Sequence, residues 1–393
     1  MSLVKKGKAG PKDKAFSKPE VLRVAKAVIA RGPVCDHCLG RQLAQVSTGM
    51  TDLERGAILR RLLKAKPEGG DCPVCGGLFK RLGKFADDAA GRLSKMEYAT
   101  FVVGTKLSGE LIGAEEAVWE DAGIDFCESI KSELNRELGK LLEARIHKVV
   151  DEEKPDVTVT LNLEKDRVDI RAAPLFFSGA YKKLVRGIPQ TKWDKYEVTV
   201  EDVIAAPFMA ATKGEGHSMH ASGREDIDAR CLDWRPFILE IENPSKRTVD
   251  LRKMLKEVNA SGKVEVSGLE ATVRKEVAGL KDLRLDKSYR ALVEFEKPVT
   301  GVERVQKLIG TISQRTPVRV AHRRADLVRK RKVKDIKWKK INNKKFEFQI
   351  KGEAGLYIKE LISGDGGRTR PSVSEILGNQ GAVKELDVIK IWR

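Results

Sequence analysis

Two kinds of hydrophobic periodicity alternate along the first half of the chain. Apolar residues recur every three or four positions over 21–29, 52–63 and 128–149, which predicts amphipathic helices. They alternate with polar residues over 157–163 and again over 168–170, on either side of a polar turn, which predicts two strands. We therefore expect an α+β fold for this half of the chain.

Beyond residue 196 the pattern changes to short apolar runs, typical of a mixed sheet with few long helices. The predicted strands are 237–241, 263–267, 289–296, 317–321, 345–351 and 381–391, and the predicted helices are 251–261 and 302–314. Within 289–296, alternation puts Tyr289 on the same face as Ala291, Val293 and Phe295. By this pattern alone, Tyr289 is more easily explained as part of the core than as a functional residue.

The excess of positive charge indicates which kind of molecule the protein binds. The 393 residues include 75 Lys and Arg against 57 Asp and Glu, a formal net charge of +18. Such an excess favours a polyanion, most often nucleic acid, although solubility and adaptation to heat produce similar balances. No apolar run approaches the roughly 20 residues of a membrane-spanning helix, and the start of the chain lacks the apolar core of a signal peptide. We expect a cytoplasmic protein that does not bind membranes.

Two basic segments are candidates for contacting RNA. Residues 181–193 combine Lys and Arg with Tyr181 and Trp193, whose rings can stack on bases while the cations bind phosphates. A basic linker between domains explains this segment equally well. Residues 323–345 carry twelve Lys or Arg, two Asp and Trp338. We expect them to form a hairpin or loop that holds RNA with a strong dependence on salt.

Four of the six cysteines form two CxxC pairs. They are Cys35 and Cys38 and, after 33 intervening residues, Cys72 and Cys75. In an intracellular protein this spacing predicts a tetrahedral zinc site, because each pair bends the chain so that both thiolates face one ion. A redox CxxC is the alternative, which the presence of two pairs disfavours. Four protein ligands leave no position for a substrate, so we expect the zinc to be structural.

The remaining candidates near or outside the zinc site are given simpler roles. His37 lies inside the first CxxC pair and is expected to lie beside the ion without replacing a cysteine. Cys127 and Cys231 have no partner at metal-ligand spacing, so we expect them to be packed thiols.

A further candidate site is the charged segment 221–230, which precedes the apolar run 236–241. By itself, such a density of ionised side chains is typical of a solvated loop. At the edge of a buried strand, however, a carboxylate held beside fixed cations stays ionised and can act as a nucleophile. The residues alone leave both interpretations open.

Several motifs in this order along the chain resemble one family of RNA-modifying enzymes. Gly223-Arg224-Glu225-Asp226 is similar to the Gly-Arg-x-Asp element of pseudouridine synthases, and with Asp228 and Arg230 it resembles the archaeal and eukaryotic tRNA pseudouridine synthase "ten" family. Ser288-Tyr289-Arg290-Ala291 resembles the segment that holds the active-site tyrosine, and residues 355–361 resemble a Gly-x-Tyr-Ile-Arg/Lys-x-Leu segment. The CxxC pairs and residues 186–193 resemble the accessory region of the family, which includes a THUMP domain.

The resemblance implies a fold, an activity and a division into domains. We expect a basic tail and zinc-binding module in residues 1–90, a THUMP-type RNA-binding domain in 91–195 and a pseudouridine synthase domain with a mixed or antiparallel sheet in 196–393. The implied activity is the isomerisation of uridine to pseudouridine in the T loop of tRNA, at positions 54 and 55. The implied protein is a monomer that binds tRNA and uses no organic cofactor.

Carried over by position, the resemblance assigns roles in the active site. Asp226 would be the catalytic aspartate, in preference to Asp228, which we expect to pair with Arg230. Lys359 would pair with Asp226 and keep it ionised. Tyr289 would stack on the target base, in contrast to the core role that the pattern alone favours.

The same resemblance assigns three further residues and shows one departure. Ile358 and Leu386 would line the pocket, and Arg224 would help to hold the flipped nucleotide. Where the family has Arg-x-Leu-Gly-x-Gly-Arg-Pro-Phe, residues 230–237 lack both glycines and are one residue shorter. We expect this difference to alter the turn geometry there.

Two other functions are compatible with parts of the sequence. A different THUMP-bearing enzyme, such as a methyltransferase or thiolase, would need a glycine loop for S-adenosylmethionine or an ATP-pyrophosphatase loop, and neither is found. A non-catalytic zinc-containing tRNA-binding protein or chaperone would need only the charge, the zinc and the accessory domain. This alternative predicts that Asp226 is dispensable.

Overall fold

The computed structural model describes residues 11–66 and 69–392, and it contains two compact units that divide between Ala173 and Pro174. Most of the predicted basic tail, residues 1–10, lies outside the described residues. Among the described residues, no helix combines the length and the apolar character needed to cross a membrane.

The first unit is α+β, as the periodicity predicts. Its helices are α1 (Pro11–Phe16), α2 (Pro19–Ile29), α3 (Asp36–Arg41), α4 (Asp52–Leu63), α5 (Leu78–Leu93), α6 (Gly109–Ala122) and α7 (Ile130–Ile146). Its strands are β1 (Thr100–Lys106), β2 (Val149–Val150), β3 (Val157–Asn162) and β4 (Arg167–Ala172), in the sheet order β2-β1-β3-β4. Helices α5 and α7 pack on this sheet through apolar stripes, because Leu134, Leu138 and Leu142 recur at helical spacing on α7.

Local capping explains where the predicted helices begin. The Thr51 hydroxyl accepts a hydrogen bond from the Glu54 backbone, and the Glu54 carboxylate accepts one from the Thr51 backbone, so α4 starts with a capping box. At the start of α7 the Ser129 hydroxyl forms a simple N-cap, by accepting a hydrogen bond from the backbone N–H of Ser132.

The second unit is built on one large mixed sheet. Its helices are α8 (Val200–Thr212), α9 (Leu251–Asn259), α10 (Glu276–Asp282), α11 (Ile358–Ser363) and α12 (Val373–Leu377). Its strands are β5 (Leu175–Lys183), β6 (Gly216–Ala221), β7 (Ala229–Glu242), β8 (Val264–Thr272), β9 (Asp286–Phe295), β10 (Gly310–Arg315), β11 (Val328–Lys340), β12 (Lys345–Gly352), β13 (Thr369–Arg370) and β14 (Gly381–Trp392). The predicted fold class of the catalytic half is confirmed.

Strand β14 joins two groups of strands in this sheet. The described strands follow the order β13-β10-β11-β12-β9-β14-β7-β5-β8, with β6 paired to β7. Strand β14 is antiparallel to β9 and parallel to β7, and Leu386 and Val388 stand opposite residues of both neighbours. The middle of the sheet is thus formed by segments that lie far apart in the sequence.

Two sequence predictions differ from the structure. The helix expected over 302–314 is a 3₁₀ helix, Val302–Leu308, followed by strand β10. The strand expected over 317–321 is a 3₁₀ turn, Val318–Arg323. In both places a run of apolar residues is too short for its period to distinguish helix from strand, and tertiary packing decides. The basic segment 323–345 forms the end of this turn, strand β11 and the connection to β12, and because β11 and β12 pair antiparallel, the hairpin expected there is present. Its contact with RNA stays a prediction.

The domain boundary expected at residue 195 also needs correction. Strand β5 pairs with β7 and β8, so residues 174–195 belong to the second unit rather than to the accessory region. The boundary expected at residue 90 falls inside helix α5, and the separation of residues 1–90 from the following domain stays a prediction.

Candidate active site and metal centre

A cavity of about 460 Å³ in the second unit brings the predicted active-site residues together. We call it the Asp226 pocket. Its walls are the loop 223–228, the starts of β7 and β9, the segment 355–359 at the start of α11, and Leu386 and Val388 of β14. Asp226, Arg224, Tyr289, Ile358, Lys359 and Leu386 all line it, as do Trp193, Lys287, Arg319, Arg324 and Tyr357.

The loop before Asp226 is held in place by buried polar side chains on the side that faces the protein interior. Gly223 has φ of +80°, and a Cβ there would lie 3.1 Å from a guanidinium nitrogen of Arg235, so both the backbone conformation and the close contact favour glycine. The Tyr181 hydroxyl lies 3.1 Å from each oxygen of Glu225, and Arg235 Nε lies 3.0 Å from Glu225 Oε2. Gln190 donates to the Gly223 carbonyl and to the Tyr181 hydroxyl. Glu225 is therefore held inside the protein by Tyr181 and Arg235, whereas Asp226 is partly exposed in the cavity.

Burial changes the protonation properties of this supporting network. Burial, and then the charge of Glu225, raise the pKa of the Tyr181 phenol well above its usual value. Burial, and then the charge of Arg235, lower the pKa of Lys287 to about 8. Burial raises the pKa of the Cys231 thiol to about 11, and this fully buried cysteine is the packed thiol expected from the sequence. Cys127, by contrast, is only half-buried.

The Asp226 carboxylate is 30 % exposed and has a cation at each oxygen. Arg319 Nη1 donates to Oδ1 at 2.9 Å, and Lys359 Nζ lies 3.6 Å from Oδ2. Lys359 is closer to Asp228, with 2.7 Å to both carboxylate oxygens. Burial acts to raise the pKa of Asp228, but the hydrogen bonds and charge of Lys359 outweigh it and lower that pKa.

The pairing expected between Asp228 and Arg230 is wrong. Arg230 stands directly opposite Asp387 in the register of β7 and β14, and its guanidinium makes two 2.9 Å hydrogen bonds to that carboxylate. Arg186 and Arg290 also contact Asp387. Although burial acts to raise it, the hydrogen bonds from Arg230 and Arg290 lower the pKa of Asp387 to about 2.

The position of Tyr289 is compatible with both of the roles that the sequence leaves open. It stands between Ile350 of β12 and Val388 of β14, is 8 % exposed, and belongs to the apolar core under the sheet. It also lines the Asp226 pocket. Burial raises the pKa of its phenol to about 12, so the ring presents a neutral apolar face to the cavity.

The remaining predicted residues divide into an apolar floor and an exposed cation. Ile358 and Leu386 are buried, and both pack in the same core as Tyr289. Arg224 is exposed at the edge of the pocket. All six predicted residues thus lie around one cavity, and their catalytic and binding roles stay predictions.

The segment 230–237, which lacks the two family glycines, contains no turn. It runs inside strand β7, which is continuous from Ala229 to Glu242. Tyr181 of β5 stands opposite Arg235 and Lys183 stands opposite Cys231, so residues 232–234 of β7 stand opposite a single residue of β5 and form a bulge within this segment. The turn expected there is therefore replaced by an irregular stretch of strand.

Sequence reasoning missed several residues of the pocket. Arg319 lies on the 3₁₀ turn that was predicted as a strand, and Trp193 lies on a segment that was assigned to the accessory region. Arg324 lies in the basic segment for which only a general RNA contact was expected. The positive charge of the basic segments indicates a contact with RNA, but nothing in their periodicity indicates which side chains reach the pocket.

The four predicted cysteines form a cluster in the first unit. Cys35 precedes α3, Cys38 lies in its first turn, and Cys72 and Cys75 flank a tight turn that continues through Gly76 and Gly77, both at positive φ. All four sulfur atoms lie within 4.8 Å of one another, and the Cys35 and Cys75 sulfurs are 3.7 Å apart. For a zinc–sulfur distance of about 2.3 Å, a tetrahedron has sulfur–sulfur edges of about 3.8 Å. The cluster therefore fits a tetrahedral metal ion such as zinc.

His37 lies beside the cluster and not among its sulfur atoms. Its ring stacks on Phe79 with centroids 4.3 Å apart, and its Nδ1 lies 2.9 Å from Glu133 Oε1. This hydrogen bond and stacking contact account for the ring without metal coordination.

Three carboxylates of the first unit also lie close together, but they already surround the guanidinium group of an arginine. Asp52, Glu128 and Glu133 each contact the Arg136 guanidinium, in the case of Asp52 at 2.7 Å. Burial, and then interactions with Glu128 and Glu133, raise the pKa of Asp52 to about 9. This is an ion-pair network centred on Arg136.

The comparisons with known proteins agree with this arrangement. The family model "Pus10, C-terminal" matches residues 176–392, and the model "Pus10 THUMP domain, archaeal" matches residues 85–162, which confirms the predicted THUMP domain. Proteins named tRNA pseudouridine synthase Pus10 are 38 % identical in Methanothrix thermoacetophila (95 % of this chain and 94 % of the relative), 39 % in Pyrococcus furiosus (94 % and 98 %) and 40 % in Methanocaldococcus jannaschii (93 % and 93 %).

Among solved structures, a Cbf5-Nop10-Gar1 complex is 20 % identical and matches over 54 % of this chain and 48 % of that chain, with a TM-score of 0.33. The assignment depends on the family models and the relatives, which extend over both units. The chain belongs to the Pus10 family of tRNA pseudouridine synthases.

Proposed function

We propose that this protein isomerises uridine to pseudouridine in the T loop of tRNA, at positions 54 and 55, with Asp226 as the catalytic carboxylate. The observation that carries the proposal is a partly exposed aspartate between two cations, on a loop supported by a buried network, inside a cavity with an aromatic and apolar wall. Family membership supports tRNA as the substrate.

The reaction changes bonds without changing composition. The bond between the ribose and N1 of the base breaks, a bond from the ribose to C5 forms, the proton of C5 is lost and N1 gains one. An ionised Asp226 can attack the sugar or the base, or remove a sugar proton. Arg319 and Lys359 balance its negative charge before the reaction.

The other pocket residues act on the position of the substrate. A uridine must leave its stack to reach Asp226, and the neutral ring of Tyr289 offers a surface on which the flipped base can stack. Ile358 and Leu386 exclude water from the apolar side of the cavity. The exposed guanidinium groups of Arg224 and Arg324 are suited to phosphates at the pocket edge.

The four cysteines are proposed to hold a structural zinc ion. Cys35, Cys38, Cys72 and Cys75 would bind it as thiolates, and four sulfur ligands leave the ion without an open position, so it would stabilise the fold and take no part in the isomerisation. We also propose that the protein acts as a monomer in the cytoplasm, as expected for the family.

The test is a map of pseudouridine in an unmodified tRNA transcript by carbodiimide-stop sequencing. We expect product at positions 54 and 55 with the unaltered protein, and none with Asp226→Asn, while tRNA affinity is retained. Asp228→Asn serves as the matched control and should retain product at a reduced rate. Full activity of Asp226→Asn would refute the assignment of the nucleophile, and tRNA binding without any product would favour a non-catalytic tRNA-binding protein.

A further inference from the structure

Arg319 connects the candidate nucleophile to a buried carboxylate that no motif singles out. Its Nη1 donates to Asp226 Oδ1 at 2.9 Å. Its other edge faces Glu360, with Nε 2.6 Å from Oε1 and Nη2 3.5 Å from Oε2. Glu360 is only 4 % exposed, so this carboxylate has little access to water.

The 3₁₀ turn that carries Arg319 is attached to helix α11 and its flanks at three points. The Val318 backbone N–H donates to Asp365 Oδ2 at 3.1 Å, just beyond the end of the helix. Arg324 donates to the hydroxyl of Tyr357, the residue before the helix, at 2.8 Å. The Arg319–Glu360 pair is the middle contact, and it alone continues to Asp226.

The distances also show which cation forms the hydrogen bond to Asp226. Lys359 is engaged at 2.7 Å with Asp228 and lies 3.6 Å from Asp226, whereas Arg319 is within hydrogen-bond distance of Asp226. A guanidinium is a rigid planar fork. When Glu360 occupies the Nε edge, the direction of Nη1 is determined, and it points at Asp226.

We propose that Glu360 is a positioning residue for pseudouridine formation: it holds the Arg319 guanidinium so that this cation, with Lys359, orients the Asp226 carboxylate. The inference rests on the proposed function and goes beyond it, because it adds a buried acid that acts on Asp226 through Arg319. Adjacent residues of α11 then have separate tasks, since Ile358 and Lys359 face the pocket while Glu360 acts through Arg319.

A merely structural role for this ion pair makes a different prediction. Breaking a buried pair lowers the free energy of unfolding wherever the pair lies. Only the positioning role requires that the effect of Glu360 on the rate disappear once Arg319 is absent. A double-mutant cycle on the rate constant distinguishes the two.

The experiment measures the single-turnover rate of pseudouridine formation, tRNA affinity and thermal unfolding for Glu360→Gln, Arg319→Ala and the double variant. Because misdirecting a catalytic group by about 1 Å can cost up to 100-fold, we expect Glu360→Gln to lower the rate about 10- to 100-fold with tRNA affinity within about twofold. In the Arg319→Ala background, adding Glu360→Gln should change the rate less than about twofold. The double variant leaves no unpaired buried charge and should remain folded.

Two more variants keep the test decisive if Glu360→Gln unfolds. Arg319→Lys retains the charge but cannot contact both carboxylates, so it should fold and show a similar loss of rate. Glu294→Gln removes a surface carboxylate paired with Lys345 and should leave the rate unchanged.

Three outcomes are distinguishable. A wild-type rate for Glu360→Gln, or equal effects of Glu360→Gln with and without Arg319, would overturn the positioning role while the isomerase activity stands. Absence of pseudouridine with the unaltered protein would instead overturn the proposed function itself.

Discussion

The cysteine cluster and the Asp226 pocket are assembled in opposite ways. The cluster takes its four sulfur atoms from two short CxxC turns, so its chemistry is visible in local spacing. The pocket takes its walls from segments between residues 193 and 388, and the partners of its charged groups come from different strands and turns. The cluster is closed and suited to stability, whereas the pocket is open to a substrate. Local motifs therefore locate chemistry, while the charge environment depends on the completed fold.

Removing the metal should have the largest effect on the cluster and would test its stabilising role. Structural zinc contributes on the order of 10 kcal/mol to the folding of small zinc domains. We expect Cys72→Ser to reduce bound zinc from one ion per chain towards zero and to remove the hydrogen-exchange protection of helices α3 and α4. Cys127→Ser is the matched control, because Cys127 lies outside the cluster. Unchanged zinc content in Cys72→Ser would contradict the metal site.

Removing a buried ion pair that supports the pocket should lower the free energy of unfolding by a smaller but still large amount. Glu225→Ala leaves the guanidinium of Arg235 buried without its carboxylate partner, and such a loss typically costs about 3–5 kcal/mol. Urea unfolding monitored by circular dichroism measures it. The surface variant Glu294→Ala should change the free energy of unfolding by less than about 1 kcal/mol. Equal effects of the two substitutions would mean that the network below Asp226 is not specially stabilising.

The strand interface at Asp387 should show a pH-dependent effect of intermediate size. The folded-state pKa of Asp387, about 2, lies below the unfolded value of about 3.9, so its ionised form stabilises the protein above pH 4. This contribution, about 2 kcal/mol at pH 7, is lost as the pH falls through 2. Asp387→Asn should therefore be less stable than the unaltered protein at pH 7, with the difference disappearing towards pH 2. A constant difference across this range would contradict the ionic origin.

The smallest expected effect concerns the outward face of β11. Lys330, Lys332 and Lys339 are exposed on this strand, while Val333 and Ile336 of the same strand are buried in the core. If these lysines bind phosphates of tRNA, replacing all three by Gln should reduce the slope of log affinity against log salt by about 1 to 3, since each contact contributes about 0.7–0.9. Lys253→Gln on helix α9 is the control. An unchanged slope would leave this face as solvated surface.

The comparison also explains how much could be predicted from the sequence. Periodicity locates α7, β3, β4 and most strands of the large sheet, because these elements bury one face along their whole length. It fails at 302–323, where short apolar runs became 3₁₀ turns and a strand, and that failure concealed Arg319. The resemblance located Asp226, Tyr289 and Lys359 around one cavity. It did not reveal that Asp387 would form an ion pair with Arg230, because strand register is set by pairing that no local pattern encodes.

The position of β14 has a consequence for the order in which the protein becomes active during synthesis. This strand follows all the other described strands in the chain and yet lies between β9 and β7, so without it the two groups of strands share no hydrogen-bonded pair. A ribosome must therefore release residues 381–392 before Leu386 and Val388 can complete the pocket wall. Until then a nascent chain can already expose basic surface to RNA, but it has no finished site in which to modify it.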